Sequence, residues 1–259
     1  MRKTAMLAAL LGALAVAAGV PFATPAVGAS PNLNPKVLPI NSVPYGKTYG
    51  GWAAVWWQWA FSVPADVNPL FDETGANAAQ GQTGHVWFLG GVFNESGTAT
   101  RTVTVPAGKA LFFPIVNYMW LSFPEDNPDP EAFPPDPPWD EPYTDPSGVE
   151  WATYEEYVRV GMLKPVIDST TNLSCTIDGN SVENLAAYRC QSPTFMVDLP
   201  EKNIFGLPPY LWGPCADDGI YVFLAPPAVG KHTIQFTATL SNGFSLSITY
   251  YLTVKGGPR

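Results

Sequence analysis

The stretch "WAAVWWQWA", residues 52–60, carries four of the chain's nine tryptophans. Each indole brings roughly 150–250 Å² of mostly apolar surface that has to be hidden somewhere. Tyr45, Tyr49, Trp52, Trp56, Trp59 and Val63 are spaced 4, 3, 4, 3 and 4 residues apart, which places them on one face of a helix. The spacing predicts a helix over 48–63, with Thr48 as N-cap and Pro64 as the stop signal. Gly50 and Gly51 weaken its first turn. Trp57 and Phe61 widen the apolar face, and Lys47, Gln58 and Ser62 are the polar residues near the other side. A sugar-stacking platform needs flat, exposed rings, and a membrane-surface helix needs a strongly polar, cationic face. This segment offers neither, so it is expected to pack inward as a core helix.

The ends of the chain speak to compartment. Arg2 and Lys3 precede an apolar run over 6–20, and Val27-Gly28-Ala29 matches a signal-peptidase site. The expectation is a signal peptide over 1–29 and a secreted, periplasmic or cell-surface chain beginning at Ser30. The run is too short and too broken by Gly and Pro for stable membrane insertion. The full chain has 13 basic and 22 acidic residues; losing Arg2 and Lys3 with the leader leaves 11 basic residues and a net charge of −11. Such a balance argues against a nucleic-acid partner, because phosphate binding relies on clustered Lys and Arg. In an oxidising compartment Cys175, Cys190 and Cys215 are expected to form one disulfide and leave one thiol over, with the pairing open.

Residues 30–44 read as an extended, proline-broken lead-in, and 45–259 as a single domain. Strands are expected at 86–89, 101–105 and 110–116. The last two, joined by the turn 106–109, are expected to form a hairpin whose second strand ends or lies on an edge at Pro114. Residues 123–148 hold nine prolines, eight acidic residues and no basic one. That density forbids regular structure and predicts a long surface loop. Thr153-Tyr-Glu-Glu156 is a capping box opening a second helix over 153–164, stopped by Lys164-Pro165. From 173 onward short strands alternate with turns at Asp178-Gly179 and Asn242-Gly243. The expected fold class is therefore mostly β: a β-sandwich, immunoglobulin-like or jelly-roll, with two accessory α-helices.

"VGKHTIQFTATLSNGFSLSITYYLTV", residues 229–254, resembles the closing strands of bacterial immunoglobulin-like domains. The resemblance covers about a tenth of the chain. It implies a sandwich and no particular activity. The combination "GWAAVWWQW", "GQTGHVWFLGG" and "VPAGKALFFPI" is similar to secreted bacterial proteins of no assigned function, and carries over no catalytic residue.

Chemistry is sparse. The two histidines, His85 and His232, are expected to serve as strand-end hydrogen-bonding groups, with a shared zinc site as the alternative. No Cys has a His close downstream, as a blue-copper site requires. No Gly-x-Ser-x-Gly elbow is present. If the chain is an enzyme, its candidate catalytic groups are the carboxylate pairs Asp72-Glu73 and Asp217-Asp218, suited to glycoside hydrolysis if loops bring them together. In the acidic loop, Asp126, Asp129, Asp136 and Asp140 are candidate calcium ligands without a motif. Trp139 and Tyr143 are candidate binding anchors. The expected function is a secreted binding or surface-interaction module for a glycan or protein, without a cofactor. The alternatives are a hydrolase of an extracellular polymer and a structural envelope protein.

Overall fold

A computed structural model describes Asn34 and residues 36–256. The expected leader and residues 30–33 and 35 of the expected lead-in lie outside the described residues. Helix α1, Tyr49–Ser62, begins where the Thr48 hydroxyl accepts the Gly51 N–H at 3.1 Å, and gives way to extended backbone at Val63, ahead of Pro64. Its tryptophans are buried, and so are Ala53, Ala54, Ala60 and Phe61. Every indole N–H of the helix finds an acceptor: Trp52 the Pro44 carbonyl at 2.8 Å, Trp56 that of Leu89 at 3.0 Å, Trp59 that of Gln80 at 2.9 Å, and Trp57 the Asp217 carboxyl at 2.7 Å. The indoles thus act as core filler with a polar tip that ties the helix to four separate segments. Tyr45 stays outside the helix and is 46% exposed.

Among the described residues twelve strands follow: β1 Val86–Phe88, β2 Thr98–Pro106, β3 Ala110–Leu121, β4 Tyr143–Thr144, β5 Glu150–Trp151, β6 Thr171–Ile177, β7 Asn180–Ser181, β8 Arg189–Gln191, β9 Phe195–Leu199, β10 Tyr210–Leu224, β11 Gly230–Thr239 and β12 Ser245–Lys255. The first sheet runs β1-β3-β10, with β8 and β9 sharing the far edge of β10; the second runs β2-β12-β11-β6-β7. The chain is mostly β and sandwich-like. Alternation along β10 sets the layers. Tyr221 and Phe223 point toward α1, where Phe223 meets Tyr49 and Trp52 edge-on at 5.9 and 5.8 Å. On the other face of the sheet, Phe113 stacks on Phe236 of the second sheet at 5.5 Å. Farther along that face, Ala216 packs against Tyr154, Val158 and Leu163. The lead-in is stitched to the end of β10, Val37 bridging Leu224.

Three expectations need correction. The strands β2 and β3 exist with the expected turn between them, but they do not form a hairpin. β2 pairs parallel to β12 and β3 antiparallel to β10, so the turn crosses between sheets. β2 alternates buried and exposed positions, as an outer strand does, whereas β3 is buried without a break from Ala110 to Val116 and takes the centre of the first sheet. Pro114 does not end β3. It sits where the β3–β10 register shifts, and β1 has already stopped opposite Phe112, so no ladder bond is lost there.

The second helix passes through Pro165. It runs as an α turn Tyr154–Glu156, a π stretch Tyr157–Leu163 and an α turn Lys164–Asp168, together α2. The cap is the expected one: the Thr153 hydroxyl accepts the Glu156 N–H at 3.1 Å, and the Glu156 carboxylate accepts the Ala152 N–H at 2.9 Å. The π register bonds the Lys164 N–H to the Arg159 carbonyl and places Pro165 at the start of a new turn, where its missing N–H costs little. Finally, all three cysteines are free. Cys190 lies opposite Gly219, four residues along β10 from Cys215, a rise of roughly 13 Å. Cys175 belongs to the second sheet. The Cys190–Cys215 span does not fit the ~4–7 Å between Cα atoms that a disulfide requires.

The proline-dense loop lies at the surface without regular structure up to β4. It is pinned by Phe123 and Phe133 against Trp212 at 5.6 and 6.0 Å. Among the described residues no helix is long and apolar enough to cross a membrane.

Candidate functional site

Consecutive residues of a strand point to opposite faces, so β10 sends Asp217 and Asp218 to opposite sides of the first sheet. Both are 0% exposed. Asp217 lies beneath α1. Its carboxyl accepts the Trp57 indole N–H at 2.7 Å and the Tyr221 hydroxyl at 3.0 Å. Asn117 donates to the Tyr221 oxygen at 3.0 Å, which leaves the Tyr221 proton for Asp217. Ser192 clasps the backbone, its N–H donating to the Asp217 carbonyl at 3.0 Å and its hydroxyl accepting the Asp217 N–H at 2.9 Å. Burial pushes the Asp217 carboxyl up to about 8; the bonds from Trp57 and Tyr221 oppose the shift, the Asp218 charge adds to it and the Arg159 charge opposes it. At neutral pH Asp217 is therefore mostly a neutral acid.

Asp218 faces the other way and is met by a cation. Arg189 grips it with Nε at 2.8 Å and Nη2 at 2.7 Å, and Gln191 adds a third bond at 3.0 Å. Arg189 also reaches Asp168, which pairs with Lys164, and the Lys164 carbonyl. An ionic ladder thus fastens α2 to β8 and β10.

Asp72 and Glu73 sit elsewhere. Asp72 closes a turn, accepting the Thr74 N–H and hydroxyl at 2.8 and 2.7 Å and the Asn77 N–H at 2.8 Å. Burial pushes its carboxyl upward, but these bonds outweigh it and hold the group below the ordinary value. Glu73 is exposed and accepts the Asn94 amide at 2.5 Å. No hydrogen-bond partner is shared between this pair and Asp217 or Asp218, so the four carboxylates do not converge. Instead, the loop carrying Asp72 is anchored by a residue that sequence reading passed over. Arg101 is 1% exposed and spends five donor contacts on the carbonyls of Asp72, Gly90, Pro69 and Gly91 and on the Tyr250 hydroxyl, at 2.6–3.0 Å. Its signal was its place in β2, at an inward position between Ala99 and Val103.

Trp139 and Tyr143 are half-buried. Trp139 donates to the Ser122 hydroxyl at 2.7 Å, and Tyr143 packs on Tyr154 and Tyr157 at 4.9 and 4.8 Å. Of the calcium candidates, Asp136 accepts the Phe123 N–H at 3.0 Å and the Tyr154 hydroxyl at 3.2 Å, and Asp129 accepts the Ala132 N–H at 3.2 Å. Asp126 lies by the Tyr210 hydroxyl, and Asp140 is exposed. Among the described residues no three His, Cys, Asp or Glu side chains are grouped to hold a metal ion. His85 stacks on Tyr45 at 5.6 Å, while His232 is bonded to Asp178 and to the Ala228 carbonyl, both at 2.8 Å. These contacts of the two rings involve different residues.

An open groove of ≈ 410 Å³ runs along the outer edge of the second sheet, between β6 and the segment 181–186. It is lined by Leu173 to Thr176 of β6 and by residues 181–186. Comparison with protein-family models, with curated proteins and with solved structures finds no match to this chain.

Proposed function

We propose that this chain is a secreted binding module that holds a partner polypeptide in the groove beside β6. The single observation that carries the reading is that groove, a surface cleft of ≈ 410 Å³ lined by both polar and apolar residues. An immunoglobulin-like or jelly-roll sandwich is part of the proposal, supported by the hairpin β11–β12, in register from Gly230 to Thr239 across Asn242-Gly243. The hydrolase reading has less support, since Asp217 and Asp218 are sealed and Asp72 closes a turn. Residues 30–259 would be immobilised and screened against peptide and glycan arrays, and for turnover of polysaccharide, ester and peptide substrates. Saturable peptide binding is expected. Turnover abolished by Asp72→Asn or Asp217→Asn would replace this reading with the hydrolase.

A further inference from the structure

We infer that residues 133–139, Phe-Pro-Pro-Asp-Pro-Pro-Trp, form a rigid polyproline II rod that docks into an aromatic-lined, basic-rimmed groove on a partner protein. The inference goes beyond the groove beside β6 and does not depend on it.

The sequence sets the backbone of the rod. Proline fixes φ at about −65°, and a residue before a proline is pushed out of the helical region toward ψ of about 120–160°. Pro134 and Pro137 meet both conditions, and Phe133 and Asp136 meet the second. Each X-Pro bond of the run is trans. The conformation that satisfies these constraints is the left-handed polyproline II helix, with about three residues per turn and no internal hydrogen bonds. Exposure follows that period. Phe133, Asp136 and Trp139 are half-buried, whereas Pro134, Pro135, Pro137 and Pro138 are exposed. One edge of the rod therefore faces the protein and two edges, both of proline, face solvent.

Every inward residue is held. Phe133 packs on Phe123 at 5.5 Å and on Trp212 at 6.0 Å. Asp136 exchanges two bonds with Phe123: its N–H donates to the Phe123 carbonyl at 2.9 Å, and its carboxyl accepts the Phe123 N–H at 3.0 Å. Trp139 donates its indole N–H to the Ser122 hydroxyl at 2.7 Å, and its carbonyl accepts the Glu155 N–H of α2 at 3.0 Å. The outward edges are left without such ties. Among the described residues the carbonyls of Pro134, Pro135 and Pro137 accept no hydrogen bond from the chain. A segment that only joined β3 to β4 would have no need of three anchors that hold four prolines outward in one register.

The shape of the rod selects its partner. Polyproline II ligands dock in grooves lined by aromatic side chains, and a preformed rod loses little conformational freedom on docking. Proline at i and i+3 is the spacing of such ligands, and Pro134 with Pro137 and Pro135 with Pro138 each supply it. Charge selects the rim of the groove. Glu131, Asp140 and Glu141 are exposed at the two ends of the rod, and residues 123–148 carry no basic side chain. The described lead-in does not approach this surface, because Val37 bridges Leu224 at the far end of β10 from Trp212.

The test immobilises the chain and titrates it with a panel of purified proline-recognition domains, each with an aromatic-lined groove, half with basic and half with acidic rims. Saturable binding to the basic-rimmed members is expected, about tenfold tighter than their binding to a synthetic peptide of residues 131–141, which has to be ordered first. Pro134→Ala with Pro137→Ala removes one outward edge and should weaken binding about tenfold, with the melting temperature lowered by only a few degrees. Pro128→Ala, at an exposed proline of the same loop outside the rod, should leave binding unchanged. Asp140→Asn with Glu141→Gln should weaken it about threefold at low salt and less at high salt. Binding that survives loss of the proline pair, an equal loss on Pro128→Ala, equal binding by the acidic-rimmed domains, or no binding by any member of the panel would overturn the inference. Self-association that disappears with the same proline pair would name a second copy as the occupant and equally overturn it.

Discussion

The two faces of β10 bury adjacent carboxyl groups by different means. Under α1, Asp217 meets only neutral donors, Trp57 and Tyr221, and burial keeps its proton on. On the opposite face Asp218 is gripped by Arg189, which keeps 27% of its side chain in contact with solvent. A carboxyl sealed by aromatic rings has no room for a hydrated cation, so neutralisation by a proton is the lower-cost route. A carboxyl near the sheet edge can recruit an arginine whose far side stays wet. One face is therefore held by packing and the other by charge.

The contrast is sharpest in pH dependence. The folded-state value of Asp217, about 8, lies above that of an unfolded aspartate, so the folded state holds a proton that the unfolded state releases. Its contribution to stability is complete below about pH 4 and is lost as the pH rises through about 8, with a slope of about 1.4 kcal/mol per pH unit in between. The difference in unfolding free energy between the parent and Asp217→Asn, from urea titrations across pH 4–8, should follow that slope. A flat difference would mean that Asp217 ionises normally and that the two faces are alike. Asp72, Asp168 and Asp178 are shifted downward and act in the opposite sense, their stabilisation being lost as the pH falls toward acid, so the two effects occupy separate windows.

Next in size is packing on the α1 face. Trp56 is 1% exposed, and Trp56→Ala should cost about 3–5 kcal/mol in thermal or urea unfolding. Unchanged stability with loss of partner binding would make the helix a recognition surface instead. On the charged face, Arg189→Ala strands Asp218 in the interior and should cost about 3 kcal/mol near neutral pH. If the loss were under about 1 kcal/mol, Asp218 would be reached by water and the ladder would be a surface feature. The smallest effect belongs to Tyr221→Phe, which removes one bond to Asp217: about 1 kcal/mol, together with a further rise in the Asp217 titration midpoint measured by NMR. A fall in that midpoint would show that Tyr221 favours the neutral acid rather than the carboxylate.

Local signals in the chain were reliable where the physics is local. The indole spacing, the Thr48 cap and Pro64 delimit α1 to within a residue. The capping box at Thr153 and the turn at Asn242-Gly243 stand where they were read, because each depends on atoms a few residues apart. The misreadings came from neighbours distant in sequence. A short turn after Val105 suggested a hairpin, but continuous burial of β3 demanded a place between α1 and the second sheet. Pro165 looked like a stop, and a π register absorbed it. Three cysteines suggested a bridge, and all three are free.

The candidate site divides the same way. Sequence alone determined that residues 123–148 would stay at the surface and that the tryptophans of α1 would pack inward, because residue type and period decide these; it placed Asp217 and Asp218 in a loop ahead of a strand, whereas both lie buried within β10, which begins at Tyr210. Only tertiary structure decided that Trp57 meets Asp217 across 160 residues and that Arg189 meets Asp218 across 29. Those outcomes depend on which strands pair and which faces meet. The free energy of such contacts is shared among partners far apart in the chain, so no short stretch of sequence carries it.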